Sequence, residues 1–82
     1  MKEHEKLVGL SHEELREMAP EATHQHRKGG LYRDLGIPMD SDTKEPYFDR
    51  RGLLRAWQHI HPHPVKVILR PVSEDRKFTR IR

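Results

Sequence analysis

Histidines are the residues of this 82-residue chain whose type and spacing first suggest chemistry. Five of the seven fall into two groups with a two-residue spacing, namely His24 and His26, and His59, His61 and His63. Residues two apart on a β-strand point to the same face, so either group could converge on one metal ion. The spacing matches no standard zinc pattern, and Pro62 and Pro64 interrupt a strand ladder, which predicts a loop or a sheet edge. We therefore expect no metal site and no cofactor.

Hydroxyl nucleophiles are the next possibility, and their surroundings do not favour catalysis. The serines are Ser11, Ser41 and Ser73, none of which lies in a nucleophile-elbow sequence, and the chain has no cysteine. Carboxylates near a histidine are expected by chance, because 35% of the residues are charged. The sequence therefore predicts a protein that is not an enzyme.

The segment Arg27–Gly30 places two cations, Arg27 and Lys28, directly before two glycines, Gly29 and Gly30. Exposed backbone amides beside cations can cradle a phosphate, but the spacing is neither that of a phosphate-binding loop nor that of a dinucleotide fingerprint. A tight turn between two strands is the simpler interpretation. One hypothesis combines this turn with Arg70 and His26 around the phosphate of a nucleotide or small phosphorylated ligand, in a shallow cleft between subunits.

The charges are divided between an acidic beginning and a basic remainder. Residues 1–26 hold three Lys and Arg against six Asp and Glu, whereas residues 27–82 hold thirteen against seven. This distribution favours an anionic partner for the basic part. The expected binding residues are Arg27, Lys28, Gly29, Gly30, Tyr32, Arg33, Arg70, Lys77, Arg80 and Arg82.

Two macromolecular partners fit this basic surface nearly equally well. Our first expectation is that the chain is an interaction or inhibitor protein whose arginines cover an acidic surface of another protein. Cations beside aromatic rings also suit the phosphates and bases of a nucleic acid strand. We expect Trp57 and Phe78 in the core, which leaves Tyr32 and Tyr47 as exposed rings. A basic groove lined by a tyrosine favours nucleic acid, whereas an apolar patch rimmed by arginines favours a protein.

Length and composition set the remaining limits. A chain of 82 residues fits a single domain with a thin core. The absence of cysteine suits a reducing compartment, the first ten residues do not resemble a signal peptide, and no run approaches the roughly 18 apolar residues of a membrane span. We expect a soluble cytoplasmic protein with no membrane partner, either a monomer or a homodimer.

A short helix is predicted over Ser11–Ala19. Ser11 and Glu14 have the spacing of a capping box, Leu10 and Leu15 that of a hydrophobic staple, and Pro20 ends the helix. The apolar residues expected to dock on the rest of the domain are Leu15, Met18 and Ala19.

The rest of the chain, residues 24–82, is predicted to be mostly β, and residues 1–10 to be flexible. Strands are expected at 31–35, 65–69 and 77–81, with a polar turn over 40–46. Leu53, Trp57 and Ile60 recur with a helical period, so 52–61 is either helix or strand. The expected fold is α+β, with the short helix packed on a small antiparallel sheet or open SH3-like barrel.

A resemblance covers about two thirds of the chain. The stretch His26–Gly36 reads His-Arg-Lys-Gly-Gly-Leu-Tyr-Arg-Asp-Leu-Gly, and it is followed by 67–71, with Arg70-Pro71, and by 78–81. It resembles a small uncharacterised bacterial and phage domain family with a His-x-Lys-Gly-Gly-x-Tyr-x-x-Leu-Gly opening and a Trp-x-Arg-Pro closing motif. The resemblance implies a compact, mostly β, barrel-like domain without an established activity, and its phage-like character adds weight to a protein partner.

Overall fold

The α+β fold expected from the sequence is confirmed by the computed structural model, which describes residues 7–62 and 66–82. The elements are helix α1 (His12–Met18), strands β1 (His24–His26), β2 (Leu31–Gly36), β3 (Phe48–Asp49), β4 (Gly52–His61) and β5 (Lys66–Pro71), a 3₁₀ helix (Val72–Lys77) and strand β6 (Phe78–Arg80). The strands form one six-stranded antiparallel sheet that is not closed. No helix among these residues is long and apolar enough to cross a membrane.

Helix α1 begins at the predicted capping box. The Ser11 hydroxyl accepts a hydrogen bond from the Glu14 amide at 3.1 Å, and the Glu14 carboxylate accepts one from the Ser11 amide at 3.4 Å. Leu15 and Ala19 are buried, but Met18 is 44% exposed, so the prediction that Met18 docks is wrong. A helix of seven residues turns only one row of side chains toward the sheet, and Met18 lies beside that row.

Strand β4 resolves the ambiguity of residues 52–61 in favour of extended structure. It pairs with β2, β3 and β5, so it is the central strand of the sheet. Trp57 and His59 are buried on one face of β4, and Leu54 and Ala56 on the other. Burial of both faces hides the alternation that marks a half-exposed strand, which explains why the sequence pattern also resembled a helix.

The expectation of a loop or edge at His59–His63 is wrong for the residues that the structure describes. His59 lies opposite Tyr32 of β2 and Lys66 of β5, and His61 lies opposite Leu31. Pro62 follows the last residue of β4, so its missing amide hydrogen interrupts no ladder within that strand.

Three other expectations touch residues outside the described ranges. His63 and Pro64 lie outside them, as does Val65, the predicted first residue of the strand that the structure begins at Lys66. Residues 1–6 also lie outside, whereas Leu7, in the segment expected to be flexible, is buried in the core. Within 7–62 and 66–82, no group of three or more His, Asp or Glu side chains could hold a metal ion.

The sheet is packed on both of its faces. One face carries a buried apolar cluster to which α1 contributes; its members are Leu7, Leu15, Ala19, Ala22, Leu31 and Ile81. On the other, Trp57 of β4 stacks on Phe78 of β6 with ring centroids 3.9 Å apart. Because β2 and β1 lie between β4 and β6 in the sheet, this contact requires the sheet to curl around that face.

The 3₁₀ helix connects the two ends of the curled sheet and is tied to its middle by Arg55. The Arg55 guanidinium contacts Asp75 of the 3₁₀ helix at 2.9 Å and Asp34 of β2 at 3.2 Å. One cation on β4 therefore bridges β2 and the 3₁₀ helix, and these contacts help to fix the connection between β5 and β6.

The capping box makes a direct prediction for stability. Replacing Ser11 with Ala removes the acceptor of the Glu14 amide, so the free energy of unfolding should fall by about 1 kcal/mol in urea titrations. Ser41→Ala is the matched control, because Ser41 is exposed in the polar turn and should change stability by less than about 0.5 kcal/mol. Equal effects of the two changes would contradict the capping role.

Candidate functional site

An open cleft of about 480 Å³ lies on the concave face of the curled sheet, between β5 and the turn that joins β1 to β2. Five cations surround it, namely Arg27, Lys28, Lys66, Arg70 and Lys77. Its floor is formed by His26, Tyr32, His59, Ile68 and Phe78, with Gly30 and Glu74 completing the lining. We call this feature the basic cleft.

The β1–β2 turn that presents Arg27 and Lys28 is closed by backbone hydrogen bonds. The Gly29 amide donates to the His26 carbonyl at 2.7 Å, and the His26 amide donates to the Gly30 carbonyl at 2.8 Å. Gly29 has a φ of 112°, a conformation that side-chain-bearing residues rarely adopt. The predicted tight turn between strands is confirmed, and it fixes the backbone from which both cations project.

Gly30 has a different role from Gly29. A Cβ atom at this position would lie 3.0 Å from Cε1 of Tyr32 and 3.2 Å from Nε2 of His59. The missing side chain therefore lets the two rings approach the backbone of the turn. Any larger residue would force these rings to shift.

The floor of the cleft is a set of rings in mutual contact. Tyr32 stacks on His59 with centroids 4.5 Å apart and packs edge-on against Phe78 at 5.3 Å. His26 also meets Phe78 edge-on, at 4.9 Å. Burial raises the pKa of Tyr32, and the charge of Arg70 opposes that rise. The rings support each other and give the cleft an apolar base.

Four of the five cations around the cleft have no ion-pair partner among the residues that the structure describes. Lys77 contacts Glu74 at 3.4 Å, but the other four cations form no ion pair with a carboxylate of the described residues. The Arg70 guanidinium donates to the carbonyl of Leu69 at 2.9 Å. Cations held without carboxylate partners on an apolar base are available to an anionic ligand.

His26 connects the turn to the floor and is held in a defined tautomer. The Lys28 amide donates to Nδ1 of His26 at 3.1 Å, so the neutral ring carries its hydrogen on Nε2. Burial, followed by the charges of Arg27, Lys28 and Lys77, lowers the pKa of His26 below its ordinary value. Its remaining nitrogen is therefore a hydrogen-bond donor near neutral pH, which suits holding an anion better than accepting a proton.

The basic cleft brings together six of the ten residues expected from the sequence, namely Arg27, Lys28, Gly30, Tyr32, Arg70 and Lys77. Gly29 shapes the turn beside it. Arg33 is exposed on β2, where strand alternation points it away from Tyr32 and the cleft. Arg80 donates to the carbonyl of Arg82, and Arg82 donates to the carbonyl of Ala22, so neither belongs to the cleft lining.

Sequence reasoning missed several of the residues that complete the cleft. His59 lies in the cleft because β4 pairs with both β2 and β5, and Phe78 reaches it because the sheet curls; no local pattern predicts either arrangement. Lys66 and Ile68 had a usable signal, because they alternate with Arg70 along one strand and therefore share its face. Gly30, His26 and Arg70, which one hypothesis placed around a phosphate in a cleft between subunits, line a cleft that is formed within one chain.

The environment of His26 predicts that stability depends on pH. Because its pKa is lower in the folded than in the unfolded protein, unfolded chains take up the proton first, and the free energy of unfolding should fall as the pH drops below about 6.5. His26→Asn keeps an acceptor for the Lys28 amide but cannot titrate. Its unfolding free energy, measured by urea titration between about pH 7 and 5, should therefore have a shallower pH slope.

Two comparisons complete that experiment. His24 also has a lowered pKa, caused first by burial, so some slope should remain in the His26 variant. His12→Asn, on the exposed surface of α1, should keep the slope of the unmodified protein. A His26 variant with the full original slope would show that this ring does not couple the turn to pH.

Comparisons of the chain with models of protein families, with curated proteins and with solved structures find no match. The resemblance to the small bacterial and phage domain family therefore stays a prediction. The cleft has to be interpreted from its own residues.

Proposed function

We propose that this protein is a non-catalytic binding module whose basic cleft holds a small phosphate-bearing ligand, with a nucleotide as the representative case. The observation that carries the proposal is the convergence of five cations, four of them without a carboxylate partner among the described residues, on one concave site. A site of this charge is costly to maintain unless an anion shares it.

The hydrogen-bond donors around the cleft are of the kinds that bind phosphate groups. Arginine offers a planar fork for two oxygens, and lysine offers a mobile point charge, so Arg70 and Lys66 on β5 complement Arg27 and Lys28 on the facing turn. The Nε2 hydrogen of His26 supplies a neutral donor beside them. The ring floor excludes water from one side of a bound anion and strengthens these interactions.

The size of the cleft favours a small ligand over the macromolecules that the sequence also suggested. A volume of about 480 Å³ lies within the range of small-molecule sites, roughly 300–1,000 Å³. An acidic protein would need a broader contact, roughly 800 Å² on each partner. The cleft lining does not include Arg33, Arg80 or Arg82. These arginines therefore do not continue the positive charge of the cleft into a longer groove for a nucleic acid strand.

A binding rather than catalytic role is supported by the chemistry of the lining. The lone pair of His26 that could accept a proton already accepts the Lys28 amide. Among the described residues, the lining includes no serine, threonine or cysteine that could act as a nucleophile. These features favour a site that holds a ligand without transforming it.

The proposal predicts saturable binding of pyrophosphate and of ADP, measured by calorimetry and by amide NMR shifts at low salt. Arg70→Gln should weaken that binding about tenfold, because a hydrogen-bonded charge contact is worth roughly 1.5 kcal/mol or more. Arg33→Gln is the matched control. It removes an arginine from the neighbouring strand on the face that points away from the cleft, and it should leave affinity unchanged.

Two further probes separate the alternative partners. A mixed single-stranded oligonucleotide and a glutamate-rich peptide should each bind more weakly than ADP, with amide shifts that do not centre on Arg27–Tyr32. Stronger binding of the oligonucleotide or peptide would replace the small-ligand proposal by that partner. Absence of pyrophosphate and ADP binding at low salt, or equal losses in both arginine variants, would refute the phosphate site.

A further inference from the structure

Strand β5 lines the basic cleft with one face, and its outer edge is a further candidate binding surface. Among the described residues β5 pairs only with β4, so its other side is an edge of the sheet. We propose that this edge accepts an extended peptide segment in which acidic and apolar residues alternate, and that the segment continues the sheet beside β5. This proposal goes beyond the ligand of the basic cleft.

The two faces of β5 differ in chemistry. Lys66, Ile68 and Arg70 line the basic cleft, whereas Val67 and Leu69 point to the opposite face with 56% and 38% of their surfaces exposed. Exposed branched residues on a sheet edge are unusual, because they favour pairing with another strand. The edge therefore offers apolar contact on one face and positive charge on the other.

The chemistry of the occupant follows from strand geometry. A strand added beside β5 places successive side chains on opposite faces, in register with those of β5. Its residues on the cleft face would lie beside Lys66 and Arg70, neither of which has a carboxylate partner among the described residues, and should therefore be acidic. Its residues on the opposite face would lie beside Val67 and Leu69 and should be apolar.

A second copy of β5 fits this edge less well than an acidic segment does. Antiparallel pairing of two such strands would bring Lys66 and Arg70 of each copy together, and like charges directly opposite each other destabilise a strand pair. The same cations that discourage self-pairing admit an acidic strand. Charge complementarity therefore selects a partner of the opposite sign.

The test uses a capped heptapeptide that alternates Glu and Val, with Glu at both ends. Titration into labelled protein should shift the amides of Lys66–Pro71, and hydrogen exchange of the outward amides of β5 should slow at saturation, because they become hydrogen bonded. A peptide of the same composition with its four Glu residues in one block should bind at least several-fold more weakly. Its charge is equal, but its side chains cannot divide between the two faces.

Matched variants locate the contact on the protein. Val67→Thr should weaken binding up to about fivefold, since one cross-strand apolar pair is lost while the β-branched shape is kept. Val8→Thr is the control, because Val8 is also exposed, by 57%, but belongs to the segment before α1 and not to β5. Lys66→Gln should weaken binding in the same way, whereas Lys44→Gln, in the polar turn, should not.

Three outcomes of the peptide experiments without pyrophosphate would overturn the edge proposal. They are no binding of the alternating peptide, equal binding of the block peptide, and binding without slower exchange in β5. Each leaves the phosphate site standing, since that site is measured with pyrophosphate in the absence of peptide. Because Lys66 and Arg70 serve both sites, saturating pyrophosphate should weaken the alternating peptide, and a peptide affinity that is unaffected would also contradict the proposed placement.

Discussion

The contact between Trp57 and Phe78 is the interaction on which the rest of this structure depends. The two rings stack at 3.9 Å although their strands are separated by two others, so the sheet has to curl to bring them together. His24 packs edge-on against Trp57, with ring centroids 5.1 Å apart. A flat sheet would leave β5 and the β1–β2 turn far apart, and the cations that they carry would form two separate surfaces.

The curl of the sheet therefore brings cations that are distant in the sequence together in one cleft. The β1–β2 turn contributes cations from one side of the cleft, and β5 contributes cations from the other. The rings between them form the apolar floor, so cations of like charge lie close together above it. Arg55 lies on the same face of β4 as Trp57, and its contacts with Asp34 and Asp75 tie the middle of the sheet to the segment that joins β5 and β6. Repulsion among the cleft cations is the cost of this geometry, and a bound anion would relieve it.

Local sequence signals predicted the elements, and the tertiary arrangement decided the site. The capping box, the glycine turn and the alternating strands each depend on neighbouring residues, which is why Ser11, Gly29 and Arg70 could be interpreted from the sequence. Because β4 is buried on both faces, its residues do not alternate between apolar and polar, so the sequence could not assign it as a strand. Arg33 and Arg80 could not be distinguished from the cleft cations by residue type. Strand alternation points Arg33 away from the cleft, and Arg80 donates a hydrogen bond to the carbonyl of Arg82.

The central claim is that the Trp57–Phe78 stack builds the binding cleft, and pyrophosphate affinity of a Trp57→Leu variant tests it most directly. Trp57 does not line the cleft, so this change removes no ligand contact. If NMR shows that Trp57→Leu is folded, its affinity for pyrophosphate should fall at least tenfold. Leu15→Ala is the control, because it changes the core on the opposite face of the sheet and should leave that affinity unchanged. Unchanged affinity in folded Trp57→Leu would contradict the account.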